Sequence, residues 1–270
     1  MPHPEPGESV ILVLVSDHRR CARLAAWGSA WLAGAAAFDQ VLDAVTGRGR
    51  HAGAAGFPAG LNPVGVALTE WKRSGTSALR LALPVPGDVR GLVGTAEFRR
   101  QALDAGQAVF GTGFGLTVIT RETPSSAGPE SVWHRGEADA GPPADLPSLA
   151  DAEHALTDAI RETASDFARR GSTSWLPDIT PALSDARRAG ERLHLPAGHP
   201  PRAVRLIAQA ERLSAVFTVL DRDSTGPLTA AAAQERAQAL APLRLAVRGA
   251  LLAGYNAPLE AATGDQARPA

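Results

Sequence analysis

The sequence predicts an α+β fold, in which a small mixed β-sheet is covered by helices and followed by a C-terminal helical layer. Between residues 78 and 137, apolar residues alternate with others in short runs, which is typical of strands. From 149 to 256 they recur at spacings of three and four, which is typical of amphipathic helices. The chain has 270 residues, 44% of them apolar, and this suffices for a sizeable core.

The same patterns predict how the chain is divided. Residues 1–138 form an α+β region that holds the sheet, and residues 139–147 have the composition of a linker. Residues 148–256 form a helical region that packs on the first, and residues 257–270 form a flexible tail. No internal repeat is present.

The N-terminal elements are predicted as one strand and two helices. The apolar run 10–15 predicts a buried strand. A helix follows from His18 to Gly34, and a second helix covers 39–45. Residues 47–60 show neither period and are predicted to be a connector. Three residues define the apolar face of the first helix: Leu24, Trp27 and Trp31. The tryptophan pair predicts a core contact or, as the alternative, an exposed protein-binding face.

The next helix has the clearest start signal in the chain. Asn62 is a good N-cap, and Pro63 suits the first helical position. Apolar residues then recur at helical spacing until Gly75 ends the helix. Residues 78–83 alternate and predict a strand.

A strand-loop-helix-strand order follows. The glycine-rich loop 85–94 leads to Thr95, the predicted N-cap of a helix that ends near Phe110. Residues 116–120 predict the next strand, so that a β-α-β unit with two parallel strands results. Residues 131–137 predict a hairpin partner for it.

The C-terminal region is predicted to contain three helices. The first begins with a capping pair, Ser148 and Asp151, and the second begins at Pro201. The third covers 229–253 and is expected to kink at Pro242, which lacks an N–H group.

Composition and charge exclude several function classes. The 27 basic and 28 acidic residues give a formal net charge of -1, so no global field attracts nucleic acid. Lys72 is the single lysine, which leaves no P-loop lysine at the glycine-rich loop. We therefore expect no nucleic-acid partner.

The lone Cys21 excludes an intramolecular disulfide, and it favours a reducing cytoplasm over an oxidising compartment. The uncharged stretch 24–38 is shorter than the about 20 residues needed to cross a bilayer. We therefore predict a cytoplasmic protein of bacterial type with no transmembrane segment and no membrane partner.

Three segments resemble segments shared by actinobacterial-type proteins of unassigned function. They are LALPVPGDVRGL (81–92), LPAGHPPRAVRLIAQAERL (195–213) and APLRLAVRGALLAGYNA (241–257). The resemblance covers most of the chain from Trp27 onward. It implies no activity, cofactor or catalytic residue.

Metal and dinucleotide motifs are incomplete. Residues 47–52 match a dinucleotide fingerprint by letter but follow a helical pattern instead of a strand. The segment 221–232 resembles a calcium loop, yet Ala232 replaces the bidentate glutamate. Acid-x-x-His pairs end at His154 and His194, without the inward glutamates of a di-iron site. We predict no metal site and no cofactor.

The most suggestive segment is the loop that precedes Thr95. A glycine-rich turn at a helix N-terminus presents free N–H groups to an anion, whereas the carboxylate of Glu97 would repel one. The alternative is a purely structural loop. The candidate ligand-binding residues are Asp88, Arg90, Gly91, Gly94, Thr95 and Arg99.

These observations favour a non-catalytic protein-interaction or regulatory module with an unknown protein partner. Catalytic motifs are scarce in the sequence, while apolar helices are abundant. The alternative function is a small enzyme or sensor that binds an anionic or phosphorylated metabolite at the loop 85–95.

Overall fold

The computed structural model describes residues 8–47, 50–54, 56–121, 130–138, 146–170, 193–222 and 230–266. The described residues divide into two compact units. The first lies within 1–146, 194–200 and 255–270, and the second lies within 147–193 and 201–254.

The first unit contains four helices and five strands among the described residues. They are α1 (Glu8–Leu32), α2 (Phe38–Thr46), β1 (Arg50–Gly53), α3 (Pro63–Arg73), β2 (Arg80–Ala82), α4 (Ala96–Ala105), β3 (Ala108–Phe110), β4 (Phe114–Arg121) and β5 (Glu130–Glu137).

The strands form one mixed sheet in the order β1-β5-β4-β3-β2. β1 runs parallel to β5, and the remaining neighbours are antiparallel. The predicted α+β class is confirmed, and so is the excess of helix over strand. The predicted pairing of 131–137 with the preceding strand is also confirmed, since β5 pairs with all of β4.

Two helix starts agree with the capping residues in the sequence. The Asn62 side chain accepts hydrogen bonds from the N–H groups of Val64 and Gly65 at 3.0 and 3.3 Å. The Thr95 hydroxyl accepts one from the N–H of Phe98 at 3.3 Å. Each cap satisfies N–H groups that have no acceptor within their helix.

The predicted strand at 10–15 is wrong, because these residues belong to α1. An apolar run of six residues does not distinguish a strand from a buried stretch of helix. Here the run continues directly into the helical pattern that begins at His18, and the chain forms one helix over both.

The structure also differs from the predicted connector at 47–60 and from the predicted β-α-β unit. Residues 50–53 of the connector form β1, which is too short to show a period. The helix α4 stops at Ala105 instead of Phe110, because Gly106 adopts a left-handed conformation with φ of 68°. Residues 108–110 form β3, which lies between β2 and β4. β2 and β4 therefore run in the same direction without being neighbours.

Helix α1 lies close to the sheet because its contact face carries small residues. A Cβ atom on Gly28 would lie 2.5 Å from Leu79 Cδ1, so a larger residue at position 28 would displace that side chain. One residue later, the Ser29 hydroxyl accepts a hydrogen bond from the Leu79 N–H at 2.8 Å and donates to the Ala25 carbonyl at 2.6 Å.

The outer edge of β2 is closed by Asn256, a side chain of the C-terminal helix Ala230–Gln266. Asn256 is 3% exposed. Its Oδ1 accepts from the Leu81 N–H at 2.8 Å, and its Nδ2 donates to the Leu81 carbonyl at 3.0 Å. The amide thus makes both main-chain hydrogen bonds that a further strand would make at this position.

The second unit is helical, as predicted from the apolar spacing. Its described helices are α5 (Leu149–Arg170), α6 (Pro201–Arg222) and the part of α7 (Ala230–Gln266) up to Gly254. The predicted capping pair is present at the start of α5, where the Ser148 hydroxyl accepts from the Asp151 N–H at 3.2 Å.

Contacts between helices hold this second unit together. A Cβ atom on Gly254 of α7 would lie 2.4 Å from Ile207 Cγ1 of α6, so these two helices approach closely. Arg202 binds the Glu153 carboxylate at 2.6 Å, and its guanidinium lowers the pKa of Glu153. Helix α7 continues past the predicted end near Ala253 to Gln266, and it includes Pro242.

We predict that Asn256→Leu lowers the free energy of unfolding by about 2–4 kcal/mol, because the buried N–H and C=O groups of Leu81 lose their partners. Chemical denaturation with two spectroscopic probes measures this change. A decrease below about 0.5 kcal/mol would show that this closure of β2 contributes little.

Candidate functional site

A cleft of about 690 Å³ opens beside the edge strand β1. Its lining comes from the end of α2, from β1, and from the chain that leads to α3. The lining residues are Thr46, His51, Ala52, Gly53, Ala54, Phe57, Pro58, Ala59, Gly60, Leu61 and Asn62. A volume of this size is typical of clefts that bind small ligands or short peptide segments.

Among the strands that the structure describes, β1 has a neighbour on one side only, which is β5. The Ala54 N–H donates to the Trp133 carbonyl of β5 at 2.8 Å. Because main-chain groups in a parallel ladder point alternately to the two sides, those of His51 and Gly53 face away from β5. The cleft therefore borders a strand edge whose main-chain donors and acceptors are directed outward.

Apolar side chains form the rim of the cleft. Leu61 is 58% exposed, and Phe57 is half-buried. A Cβ atom on Gly53 would lie 2.4 Å from Phe57 Cβ, so the absence of a side chain at Gly53 allows the phenyl ring to lie against β1.

His51 has a defined tautomer. Its Nδ1 accepts a hydrogen bond from Trp133 Nε1 at 3.2 Å, so the ring proton is on Nε2. That nitrogen lies 2.8 Å from the Thr46 carbonyl and donates to it. Arg20 Nη1 also donates to the Thr46 carbonyl at 3.2 Å. The neutral ring is thereby fixed as a link between the end of α2 and the strands β1 and β5.

The loop 85–95, which the sequence singled out, binds its own charged side chains. Arg90 donates from Nε and Nη2 to the two carboxylate oxygens of Asp88 at 2.9 and 2.6 Å. The Arg90 N–H also donates to Asp88 Oδ1 at 3.2 Å. The two residues that were expected to bind an anion are therefore paired with each other.

The remaining residues of that prediction have separate positions. Thr95 caps α4 through its hydroxyl, and Arg99 lies exposed on α4. A Cβ atom on Gly94 would lie 2.8 Å from the Glu137 carbonyl, so tight packing and a positive φ of 109° both require glycine there. Gly91 contributes its carbonyl to a buried arginine.

That arginine, Arg80 of β2, was not found by sequence reasoning. It is 3% exposed, and its Nη1 donates to the Gly91 carbonyl at 2.7 Å. Its Cζ lies 4.9 Å from the centre of the Phe110 ring. Burial lowers the pKa of Arg80. Among the residues that the structure describes, none accepts a hydrogen bond from its Nε or Nη2.

The first turn of α4 carries its own ion pair. Arg100 binds the Glu97 carboxylate at 2.7 Å, and this hydrogen bond lowers the pKa of Glu97. Glu97 is therefore a carboxylate at neutral pH that already complements the positive end of the helix. This agrees with the sequence argument that Glu97 weakens any anion site at the N-terminus of α4.

The two tryptophans of α1 have different surroundings. Trp27 is 6% exposed, and its ring stacks on His194 with centres 5.0 Å apart. Trp31 is half-buried, and Lys72 Nζ lies 4.4 Å from its ring centre. The core prediction fits Trp27, whereas Trp31 lies between core and surface.

The described residues contain neither a cluster of metal ligands nor a helix that could span a membrane. No group of three His, Cys, Asp or Glu residues there is placed to hold a metal ion. Three parts of the predicted motifs lie outside the described ranges: residues 223–229 of the calcium-like segment, residues 48–49 of the dinucleotide-like segment, and Glu191. No helix in the described part of the chain is long and apolar enough to span a bilayer.

Two family models match the chain and together cover most of it. The N-terminal domain of Rv1486c-like proteins matches residues 21–147, and the C-terminal domain of the same proteins matches residues 150–252. The chain belongs to the Rv1486c-like protein family.

Individual relatives within the Rv1486c-like family agree with this. The uncharacterised protein Rv1486c of Mycobacterium tuberculosis is 31% identical, over 90% of this chain and 98% of its own length. The uncharacterised protein ML1804 of Mycobacterium leprae is 30% identical over the same shares. The resemblance to actinobacterial-type proteins is confirmed. No solved structure matches the chain.

We predict that nitrogen-15 NMR of the histidine side chains finds His51 in the Nε2–H tautomer, because the Trp133 indole N–H occupies Nδ1. Trp133→Phe removes that donor and should let the Nδ1–H form become populated. A ring that is already in the Nδ1–H form in the wild-type protein would contradict the assignment.

Proposed function

We propose that this protein is a non-catalytic cytoplasmic module of protein-interaction or regulatory type, and that it binds an extended segment of a partner protein in the cleft beside β1. The observation that carries the proposal is the strand edge at Gly53, which faces away from β5. Peptides commonly add to such an edge as a further strand, in which main-chain hydrogen bonds supply affinity.

The lining of the cleft favours an uncharged segment. Among the lining residues that the structure describes, none is an acid, a lysine or an arginine, and His51 Nδ1 already accepts a hydrogen bond from Trp133 Nε1. A charged side chain in this cleft would lose hydration without gaining a partner of opposite charge. The partner segment is therefore apolar at the positions that enter the cleft.

The rim supplies the specificity. Alternate side chains of an extended peptide point to the same face, and Phe57 and Leu61 present an apolar surface to that face. Half-buried Phe38 and Leu42 of α2 lie within 4 Å of a Cβ built on Gly65, as does Asn62, which lines the cleft.

The contrast with the opposite edge of the sheet supports the assignment of the binding face to β1. At β2 the outward N–H and C=O of Leu81 are bound by Asn256, so no peptide can add there without displacing it. The alternative function, binding of an anionic metabolite at the loop 85–95, would use Arg90 and the N–H groups at the start of α4, but Arg90 is paired with Asp88.

We predict that Leu61→Asp weakens the binding of peptides that the wild-type protein selects from a displayed library of random sequences. A carboxylate at the rim opposes the entry of an apolar segment. The selected peptides should alternate apolar residues, and isothermal titration should show affinity reduced at least about tenfold, or about 1.4 kcal/mol.

The matched control is Val89→Asp, since Val89 is an apolar residue of similar exposure, 53%, that lies outside the cleft. It should bind the selected peptides like the wild type. Equal loss of binding in both variants, or no enrichment of any peptide by the wild-type protein, would refute the proposed function.

A further inference from the structure

We propose that Arg80 is the recognition group of a binding site for a single oxyanion group, a phosphate or a carboxylate, beneath the loop 85–95. This site is separate from the cleft at β1 and does not depend on the function proposed for it.

The two nitrogens that have no acceptor among the described residues are Nε and Nη2. They lie on the same edge of the planar guanidinium and donate in parallel, which matches two oxygens of a carboxylate or phosphate. Arg90 shows this geometry in the same loop, where its Nε and Nη2 bind the two oxygens of Asp88. Arg80 has the same pair of donors available.

The guanidinium of Arg80 is held in place from two directions. Nη1 is fixed by the Gly91 carbonyl at 2.7 Å, and the Phe110 ring, from the residue opposite Arg80 in the β2–β3 register, lies 4.9 Å from Cζ. A donor pair held in this way loses little conformational freedom when an anion binds.

The acidic side chains nearest in sequence do not neutralise Arg80. Asp88 is bound by Arg90, Glu70 is bound by Arg135, and Glu97 is bound by Arg100. A buried guanidinium with unbound donors is costly, and a buried polar group without a partner commonly marks the place of a bound ion or water. An oxyanion would supply both the missing charge and the missing acceptors.

The loop covers Arg80, so an anion enters by displacement of the loop. Much of the loop's hydrogen bonding is internal, as in the pairing of Val85 with Asp88 and the bond from the Leu92 N–H to the Val89 carbonyl. Three glycines with positive φ lie within it, at positions 87, 91 and 94. Its links to the sheet include the Arg80–Gly91 bond and one from the Thr95 N–H to the Glu137 carbonyl.

The test is isothermal titration of the full chain with inorganic phosphate and with malonate at constant ionic strength, for the wild type, Arg80→Lys, Arg80→Met and Arg90→Lys. Saturable binding of one of the two anions is expected for the wild type, and the anion that binds more tightly identifies the ligand class. Arg80→Lys keeps the charge but loses the paired donors, so its dissociation constant should rise at least about tenfold.

Arg80→Met should show no binding, and Arg90→Lys should bind like the wild type within about twofold. If Arg80→Met fails to fold, the comparison of Arg80→Lys with Arg90→Lys decides. Absence of saturable binding to the wild type, or equal affinity of Arg80→Lys and the wild type, would overturn the proposal. So would a loss in Arg90→Lys as large as that in Arg80→Lys, because this would assign the anion to Arg90.

Hydrogen exchange gives a second readout that a merely structural arginine would not change. Saturating phosphate or malonate should slow exchange at the Leu92 N–H in the wild type, because a bound anion holds the loop closed over Arg80. The same concentration should leave the Leu92 exchange rate of Arg80→Met unchanged. Equal slowing in both proteins would also overturn the proposal.

Discussion

The closure of the outer edge of β2 is the interaction on which the first unit depends. This strand has only three residues, so its pairing with β3 alone is too short to hold it. The Ser29 hydroxyl binds the Leu79 N–H and the Asn256 amide binds both main-chain groups of Leu81. The outer edge of β2 is thereby bound by Ser29 of α1 and by Asn256 of α7, two residues that lie far from β2 in the sequence.

This closure has a consequence for the face of the sheet that α4 covers. The Leu79 side chain packs against Gly28 of α1, and because side chains alternate along an extended chain, Arg80 points to the opposite face. There Ala82 lies in an apolar cluster with Phe98 and Phe110, and the Phe110 ring centre lies 4.9 Å from Arg80 Cζ. The packing of the edge thus produces the buried cation.

The two edges of the sheet differ in how they are covered, and the two proposed sites lie at opposite edges. Exposed strand edges favour unwanted pairing between molecules, and proteins usually cover or shorten them. Here β2 is covered by side chains, whereas β1 is only shortened to four residues and borders a cleft. A short open edge beside an apolar rim favours one extended segment over extensive sheet-to-sheet pairing.

The sequence predicts the features that local chemistry determines. The caps at Asn62 and Thr95 and the long amphipathic helices follow from side chains close in sequence. The strands β1 and β3 do not, because they have four and three residues and are stabilised by partners far along the chain.

The candidate sites show the same limit. Arg80 occupies the polar position of an alternating strand, which sequence reasoning assigns to solvent. Its burial depends on α4 and on the loop that covers it. The cleft at β1 likewise depends on the parallel pairing of β1 with β5. In this pairing His51 lies opposite Ser131, about eighty positions further along the chain.

Amide hydrogen exchange of the free protein, measured residue by residue by NMR, tests this account of the two edges most directly. The N–H of Leu81 is bound by Asn256, and we expect it to exchange only when the unit unfolds. The N–H of Gly53 faces outward from β1, and we expect it to exchange orders of magnitude faster. Comparable slow exchange at both amides would show that β1 is also closed, and rapid exchange at Leu81 would show that the closure of β2 does not hold.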